Sequence, residues 1–231
     1  MTSSNHKQKV WNHFEKTITD YDTCDNFVVP RNEEVHQKIL EALPYHPKNE
    51  LKIMDLGSGT GKLALKVLSK FEKSQITGID FSKKMISKAK AKLSYFGDRF
   101  EAKEADFNEI EFGTGFDAVV SSIAIHNNTD DNKKTLFKKI YNSLNMHGSF
   151  INGDFIKYAD EIEQKRQNQL YRMFLEENLY GHELQVWLEH AFEQDIPATL
   201  DNQFGWLKEA GFKEPKLLWN CKNLAIYSAK K

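Results

Sequence analysis

The chain has 231 residues, of which 40% are hydrophobic and 28% are charged, as is ordinary for a globular protein. This length is enough for one large α/β domain with a substantial core. The 32 basic and 33 acidic side chains leave a formal net charge of −1, whereas proteins that grip nucleic acid carry a basic excess or a basic stripe. Nucleic acid is therefore not favoured as a partner. The lysines of the stretch 83–92 are interpreted as the solvent-exposed face of an amphipathic helix.

The two cysteines and the first residues bear on the cellular compartment. Cys24 and Cys221 lie far apart and form neither a CxxC pair nor a Cys/His cluster, a pattern that favours a reducing compartment. The N-terminal stretch lacks the apolar core of a signal peptide, and no apolar run approaches transmembrane length. We therefore expect a cytoplasmic protein that does not span a membrane.

The chain begins with a mostly helical lead-in, residues 1–47. Its apolar residues mark one helical face at 10–14 and another at 35–43. Short apolar runs then alternate with amphipathic helices over 51–155. Predicted strands are 51–57, 75–80, 99–106, 116–125 and 148–156, with helices over 61–73, 82–96 and 132–144. Near-continuous apolar strands that alternate with helices indicate a parallel sheet covered on both faces.

The last third of the chain changes rhythm twice. A polar helical stretch, about 158–193, is interpreted as an insertion, 156–197, that covers the sheet. Residues 198–231 resume the pattern with one helix and two adjacent strands, whose tight turn makes the last strand antiparallel. We therefore predict a single domain, 1–231, with a Rossmann-like three-layer α/β sandwich in which 51–155 is the binding core.

The strongest local signal is the glycine-rich run 53–61, IMDLGSGTG, which follows a strand and opens a helix. Glycines permit positive φ angles and close approach of a ligand, and the N–H groups of the helix favour electron-rich groups. A phosphate-binding loop would need Ser or Thr after Lys62, and a dinucleotide fingerprint would need glycine at 62 or 64. Neither is present, so the GxGxG arrangement after Asp55 indicates a different ligand.

Two carboxylates end the second and third strands. Asp80 can accept hydrogen bonds from both hydroxyls of a ribose, and its alternative role is to cap the next helix, for which Ser82 is better placed. Asp106 can accept from the exocyclic amine of adenine, and its alternative is a solvated loop position. Phe81 can lie against an adenine face. Because strand ends line the crevice in such sheets, we predict a nucleoside-containing ligand.

These residues together resemble the class I S-adenosylmethionine-dependent methyltransferases. The runs DLGSGTG, GIDFS with a following Met, EADF and FDAVVSSIAIH match four motifs of that family in order, within residues 51–155. The resemblance implies a seven-stranded, mostly parallel sheet with an antiparallel last strand, and S-adenosylmethionine as cofactor with S-adenosylhomocysteine as product. It also implies a small-molecule acceptor and a monomer or homodimer. Family members that methylate amines of DNA or of protein glutamine carry a DPPY or NPPY run at the end of the fourth strand. This chain has SIAIHNN there, so such substrates lose support.

Carried over by position, the resemblance assigns cofactor contacts along the strand ends. They are Asp55, Gly57 and Gly59 for the methionine portion, Asp80 for the ribose, Phe81, Met85, Asp106 and Phe107 for the adenine, and Ser121 and Ser122 for the sulfonium. The lead-in resembles a helical lid, in which Tyr21 and Arg31 are candidates for the cofactor's carboxylate. The alternative for both is a surface loop.

Methyl transfer from a sulfonium is an in-line displacement that depends mainly on alignment and on the exclusion of water. A base is needed only where the acceptor must lose a proton, and His126, just past the fourth strand, is the candidate. Its alternative is a structural histidine, and Asp154 is a second candidate base. The aromatic residues of the insertion are predicted to cap an acceptor pocket. No metal is expected, because His182, His190 and Asp195 lack a metal-ligand spacing.

Two other functions stay open at this point. A related family that builds carboxy-S-adenosylmethionine for tRNA modification is similar in its N-terminal helix, tyrosine and Val-Pro run. That chemistry needs an arginine to hold a second carboxylate near the sulfonium; Arg31 is the candidate, and no other arginine lies near the four motifs. The second alternative is a module that binds the cofactor without transferring a methyl group.

Overall fold

A computed structural model describes residues 21–231, and for Tyr21, Thr23 and Cys24 it describes the backbone alone. The predicted helical face at 10–14 lies outside the described residues. The helices are α1 (Tyr21–Val28), α2 (Asn32–Ala42), α3 (Lys62–Lys70), α4 (Lys83–Lys92), α5 (Asp130–Ser143), α6 (Glu161–Asn178), α7 (Gly181–Glu189) and α8 (Leu200–Glu209). The strands are β1 (Lys52–Leu56), β2 (Gln75–Asp80), β3 (Phe100–Glu104), β4 (Phe116–Ser122), β5 (Leu144–Phe155), β6 (Lys213–Cys221) and β7 (Leu224–Lys230).

The strands form one seven-stranded sheet in the order β3-β2-β1-β4-β5-β7-β6. Strands β1 to β5 pair in parallel, and β7 is antiparallel to both β5 and β6. The predicted Rossmann-like three-layer sandwich with an antiparallel last strand is confirmed. Because neighbouring parallel strands all point the same way, the carboxyl ends of β1, β2, β3, β4 and β5 meet along one edge of the sheet.

Alternate residues of the central strands face two separate hydrophobic cores. On β1, Ile53 packs with α2, α3, α6 and α7, whereas Met54 packs with α5 and α8. Both side chains are fully buried, and this explains why the central strands have near-continuous apolar sequences. The helices of the insertion belong to the first core through Tyr171, Leu175 and Trp187, so this polar segment still contributes buried apolar surface.

Two differences from the predicted elements have a clear backbone cause. Strand β4 was predicted to reach residue 125, but it ends at Ser122 because Ile123 has a φ of 54°. A β-branched residue is an outlier in that region of φ, and a short 3₁₀ turn, Ile125–Asn127, follows. The predicted helical stretch 158–193 is divided at Gly181, with a φ of 56°, and α7 continues into a π-helical turn, His190–Gln194.

Helix α1 is tied to the loop after β1 by charged side chains. The Lys62 Nζ donates to Asp25 Oδ2 at 2.7 Å and to the carbonyl of Asp22 at 2.7 Å, and the Thr60 hydroxyl bonds to the Asp22 carboxylate. Asn32 also donates to Asp25, which is buried. These bonds fix α1 beside the carboxyl edge of the sheet. Within residues 21–231, no helix has both the length and the apolar character needed to cross a bilayer.

Candidate active site

The loop after β1 turns sharply at the carboxyl edge of the sheet. The N–H groups of Gly57 and Ser58 both donate to the carbonyl of Ile79, at 2.8 and 3.1 Å, which extends the pairing of β1 with β2. Gly57 and Gly59 have φ values of 70° and 52°. A Cβ on Gly57 would lie 2.3 Å from that of Ala124, whereas a Cβ on Gly59 would meet nothing within 4 Å. The loop is therefore closed against the protein at Gly57 and open at Gly59.

Asp80 holds the second side of this loop. Its Oδ2 accepts a hydrogen bond from the Gly59 N–H at 2.9 Å, and its Oδ1 accepts from the Ser82 N–H at 2.8 Å. The cap of α4 is Ser82, whose hydroxyl accepts from the Met85 N–H at 3.4 Å. Asp80 is thus not the helix cap, and its buried carboxylate belongs to the glycine-rich loop.

Asp55 brings a second carboxylate to the same place. It is buried, and its Oδ2 has no hydrogen-bond partner among the described residues. Burial raises its pKa to about 7, and the charge of Asp80 adds to the shift. The hydroxyls of Ser58 and Ser122 are also buried without a partner in the described part of the chain. Because buried polar atoms rarely lack partners, this arrangement fits a polar ligand that carries a positive charge.

The remaining sequence-predicted cofactor residues lie at the ends of β2, β3 and β4. Phe81 is half-buried, Met85 is buried, and Phe107 is buried beside Gly57. The Asp106 Oδ1 accepts from the Asn108 N–H at 2.8 Å and so shapes its own loop. Ser121 is fully buried, and its hydroxyl donates to the carbonyl of Leu56 at 2.8 Å, which ties β4 to β1. The structure brings these residues to one edge.

The two predicted residues of the lead-in are not brought to this edge by any described contact. Arg31 precedes α2 with a φ of 59°, and its guanidinium donates to Cys221 Sγ at 3.0 Å. It also pairs with Glu34 at 2.6 Å and lies over the ring of Trp219. Arg31 is therefore engaged at the β6 edge in this structure, and its contact with the cofactor's carboxylate stays a prediction. The side chain of Tyr21 lies outside the described residues, and its role stays a prediction.

His126 lies at the end of β4 against the end of β5. Its Nδ1 is 2.5 Å from Asp154 Oδ1, and its backbone N–H donates to Asp154 Oδ2 at 2.9 Å. Its Nε2 is 3.5 Å from Asp195 Oδ1. Burial alone would lower the pKa of His126, but the charges of Asp154 and Asp195 raise it to about 10. The protonated imidazole cannot accept a proton, so this geometry gives the predicted general base no support at neutral pH.

The π-helical turn brings a second imidazole to the same carboxylate. His190 Nε2 is 3.3 Å from Asp195 Oδ1, and His190 Nδ1 is 3.2 Å from Gln194 Oε1. The Ile196 N–H donates to the carbonyl of His126 at 3.2 Å. His190 and Asp195 are functional candidates that the sequence analysis considered only as metal ligands. Nothing in the sequence indicates the π-helical turn that places them here.

These side chains enclose a cavity of about 20 Å³, which has room for one water molecule. We call it the acceptor cavity, after the role proposed for it below. Its polar wall consists of His126, His190 and Asp195, and its apolar wall consists of Val28, Val29, Ile123, Phe155, Tyr171 and Trp187. Within residues 21–231, no group of three or more His, Cys, Asp or Glu side chains is arranged to hold a metal ion.

Comparisons with known proteins agree with this architecture. Residues 53–148 match a family described as a methyltransferase domain. The chain is 28% identical to a carboxy-S-adenosyl-L-methionine synthase of Nautilia profundicola, over 96% of this chain and 95% of that protein. It is 30% identical to the Helicobacter pylori protein of the same name, over 80% of this chain and 77% of that one.

A solved structure supports the fold alone. The 1,6-didemethyltoxoflavin-N1-methyltransferase of Burkholderia thailandensis, with bound S-adenosylhomocysteine, superposes with a TM-score of 0.70 at 15% identity. The superposition covers all of this chain and 91% of that one. The motifs, the strand order and the relatives agree, and the chain belongs to the class I S-adenosylmethionine-dependent methyltransferase superfamily.

Proposed function

We propose that this chain transfers a methyl group from S-adenosylmethionine to a small-molecule acceptor by in-line displacement. The observation that carries the proposal is the pair of carboxylates, Asp55 and Asp80, beside a loop that is open at Gly59. Their negative charge and the free Asp55 Oδ2 suit a ligand with an ammonium and a sulfonium group. When bound, this cofactor supplies an electrophilic methyl group.

The residues of the chain then bind and orient the cofactor. Asp55 and the backbone at Gly59 would hold the methionine portion, and the Asp80 carboxylate would accept hydrogen bonds from the ribose hydroxyls. Phe81 and Met85 provide an apolar surface for the adenine, and Asp106 contacts its edge. The Ser122 hydroxyl is the polar group for the sulfonium end, since the Ser121 hydroxyl already bonds to Leu56.

The acceptor cavity supplies alignment and excludes water. It lies where β4 and β5 end, under α1 and the insertion, and in this closed form it admits a single water molecule. A larger acceptor therefore requires the side chains that line the cavity to move apart. Closure around the acceptor would remove competing water and fix the attacking atom in line with the methyl group, the two effects on which such a displacement depends.

A matched pair of glycine variants tests the cofactor site. We expect Gly59→Ala to bind S-adenosylhomocysteine at least about tenfold more weakly, because the new methyl group occupies the open side of the loop. Gly113→Ala is the control: Gly113 has a φ of 72° and equally open surroundings, so it carries the same backbone strain away from the site. Calorimetric titration with unchanged affinity for both variants would refute the cofactor site.

The alternative reaction is suggested by the names of the relatives, carboxy-S-adenosyl-L-methionine synthases. It would place a second carboxylate near the sulfonium, for which we expect an arginine partner. Each of the four arginines makes contacts outside the acceptor cavity. Arg31 donates to Cys221, Arg99 donates to carbonyls at the end of α3, Arg166 pairs with Glu163, and Arg172 lies over the ring of Phe192. None of them lines the acceptor cavity. This distribution favours methyl transfer.

Mass spectrometry of the nucleoside product separates the three functions. We expect incubation with S-adenosylmethionine and a panel of small alcohols, phenols, amines and thiols to yield S-adenosylhomocysteine. A carboxylated S-adenosylmethionine, formed when the acid supplied is one that can lose CO2 with expulsion of a leaving group while the methyl carbon of the cofactor gives up a proton and takes up that CO2, would establish the synthase reaction. Tight cofactor binding without either product would establish a binding module. The Gly59→Ala variant is the control for contaminating enzymes.

A further inference from the structure

The polar wall of the acceptor cavity is backed by buried charges. His126 pairs with Asp154 on one side and with Asp195 on the other. Lys133, on α5, is buried, and its Nζ donates to the carbonyl of Ile196, the residue after Asp195. Burial lowers the pKa of Lys133, while the charges of Asp130, Asp154 and Asp195 oppose that shift.

These groups balance one another. Two cations, His126 and Lys133, face two buried carboxylates, Asp154 and Asp195, and the His190 imidazole shares the Asp195 carboxylate at 3.3 Å. Asp130 also contacts Lys133, at 3.3 Å, but its side chain is 50% exposed, so water screens its charge. No Lys or Arg among residues 21–231 lines the cavity directly. A charged group placed here would therefore be buried without a counter-ion of its own, which is costly.

The opposite wall is aromatic and has little hydrogen-bonding capacity left. The Tyr171 hydroxyl donates to the carbonyl of Val28 at 2.8 Å, so Tyr171 presents its ring and not its hydroxyl. Phe155 packs against both Tyr171 and the imidazole of His126, with ring centroids 5.1 and 5.2 Å apart. Such a wall suits a flat or apolar body, while the small polar wall opposite, formed by His126, His190 and Asp195, suits a single hydroxyl or amine group.

We propose that the acceptor is a small, uncharged, largely apolar molecule with one hydroxyl or neutral amine group, and that Asp195 determines this preference for zero charge. The proposal rests on the function proposed above. Asp195 is the carboxylate of the cluster that lines the cavity, whereas Asp154 lies behind His126. Removing the charge of Asp195 leaves the two cations in excess and makes the cavity suitable for an anion.

Three probes of matched shape measure the preference: benzyl alcohol, benzoate and benzylammonium. Dissociation constants are measured by ligand-observed NMR with the full chain saturated with S-adenosylhomocysteine. We expect benzyl alcohol to bind at least about tenfold more tightly than either ion. An ion that binds as tightly as the alcohol, or a cavity that takes none of the three, would overturn the proposal. Failure of S-adenosylhomocysteine itself to bind would instead refute the proposed function.

Charge variants locate the effect. In Asp195→Asn we expect the affinity for benzoate, relative to benzyl alcohol, to rise about tenfold. Asp130→Asn makes the same change next to the same lysine but outside the cavity, and it should leave the order unchanged. Lys133→Met removes a cation and should favour benzylammonium, which provides an independent test if Asp195→Asn does not fold. An unchanged order in both Asp195→Asn and Lys133→Met would contradict the charge balance.

Discussion

An Asp80→Asn variant is expected to bind S-adenosylhomocysteine at least about 100-fold more weakly than the wild-type chain while it keeps its fold. Each carboxylate oxygen of Asp80 accepts one backbone N–H, from Gly59 and from Ser82. The same carboxylate is the proposed acceptor for the ribose hydroxyls. An amide replaces one acceptor by a donor, so it opposes both a backbone N–H and a ribose hydroxyl. Calorimetric titration near neutral pH measures the loss.

Asp117→Asn is the matched control. Asp117 lies on β4 at the opposite end of the sheet, where its Oδ2 accepts from the Lys52 N–H at 2.8 Å and its Oδ1 accepts from Asn145 at 2.9 Å. Asp117 therefore accepts a backbone N–H hydrogen bond as Asp80 does, but away from the candidate site. We expect the two variants to lower the melting temperature to a similar degree and only Asp80→Asn to lose affinity. Equal affinities in the two variants would remove Asp80 from the site.

Local pattern was sufficient to predict the cofactor half of the molecule. Runs such as 53–56, which is apolar except for Asp55, are buried on both faces, so their sequence alone identifies strands, and the order of strands and helices then follows. Gly57 and Asp80 were predictable as well, because a tight turn after one strand and a carboxylate at the end of the next are local features. The apolar run after β4 was misleading: Ile123 continues it in sequence but turns the chain.

The acceptor half depends on contacts between distant segments. The environment of His126 is built by Asp154 from β5 and by Asp195 from the end of the insertion, and no periodicity links these positions. Arg31 makes the same point, because its guanidinium donates to Cys221, a contact with a distant strand that its position in the lead-in could not predict. The sequence could therefore indicate the class of cofactor but not the charge or shape of the cavity beside it.

An Asp55→Asn variant is expected to be more stable than the wild-type chain and to bind the cofactor more weakly. The pKa of Asp55 is raised from 3.8 to about 7, so the unfolded chain loses this proton at a lower pH than the folded chain does. The wild-type chain therefore loses stability as pH rises from about 4 to about 7, and the penalty is complete above that range. Asparagine removes this penalty, which is on the order of 2–4 kcal/mol.

Thermal unfolding across this pH range measures the effect, with about 2–4 °C in melting temperature for each kcal/mol. The advantage of Asp55→Asn should be absent near pH 4 and largest above pH 7. Asp22→Asn is the contrasting control: burial raises the pKa of Asp22, but its pairing with Lys92 at 2.6 Å outweighs burial and holds that pKa below its usual value, so neutralisation should destabilise the chain. A stabilised Asp22→Asn, or a destabilised Asp55→Asn, would contradict this account of burial and pairing.

Cofactor binding should follow the opposite pH dependence. A positively charged ligand stabilises the Asp55 carboxylate, so it lowers the pKa of that group and is bound more tightly as the proton leaves. We therefore expect wild-type affinity for S-adenosylmethionine to rise as pH increases through 7, with protons released on binding, and the affinity of Asp55→Asn to stay flat. Wild-type affinity that does not change over this range would mean that Asp55 does not face the cofactor. A rise in wild-type affinity that is lost in the variant would identify Asp55 as a residue whose folding penalty is retained because its charge binds the ligand.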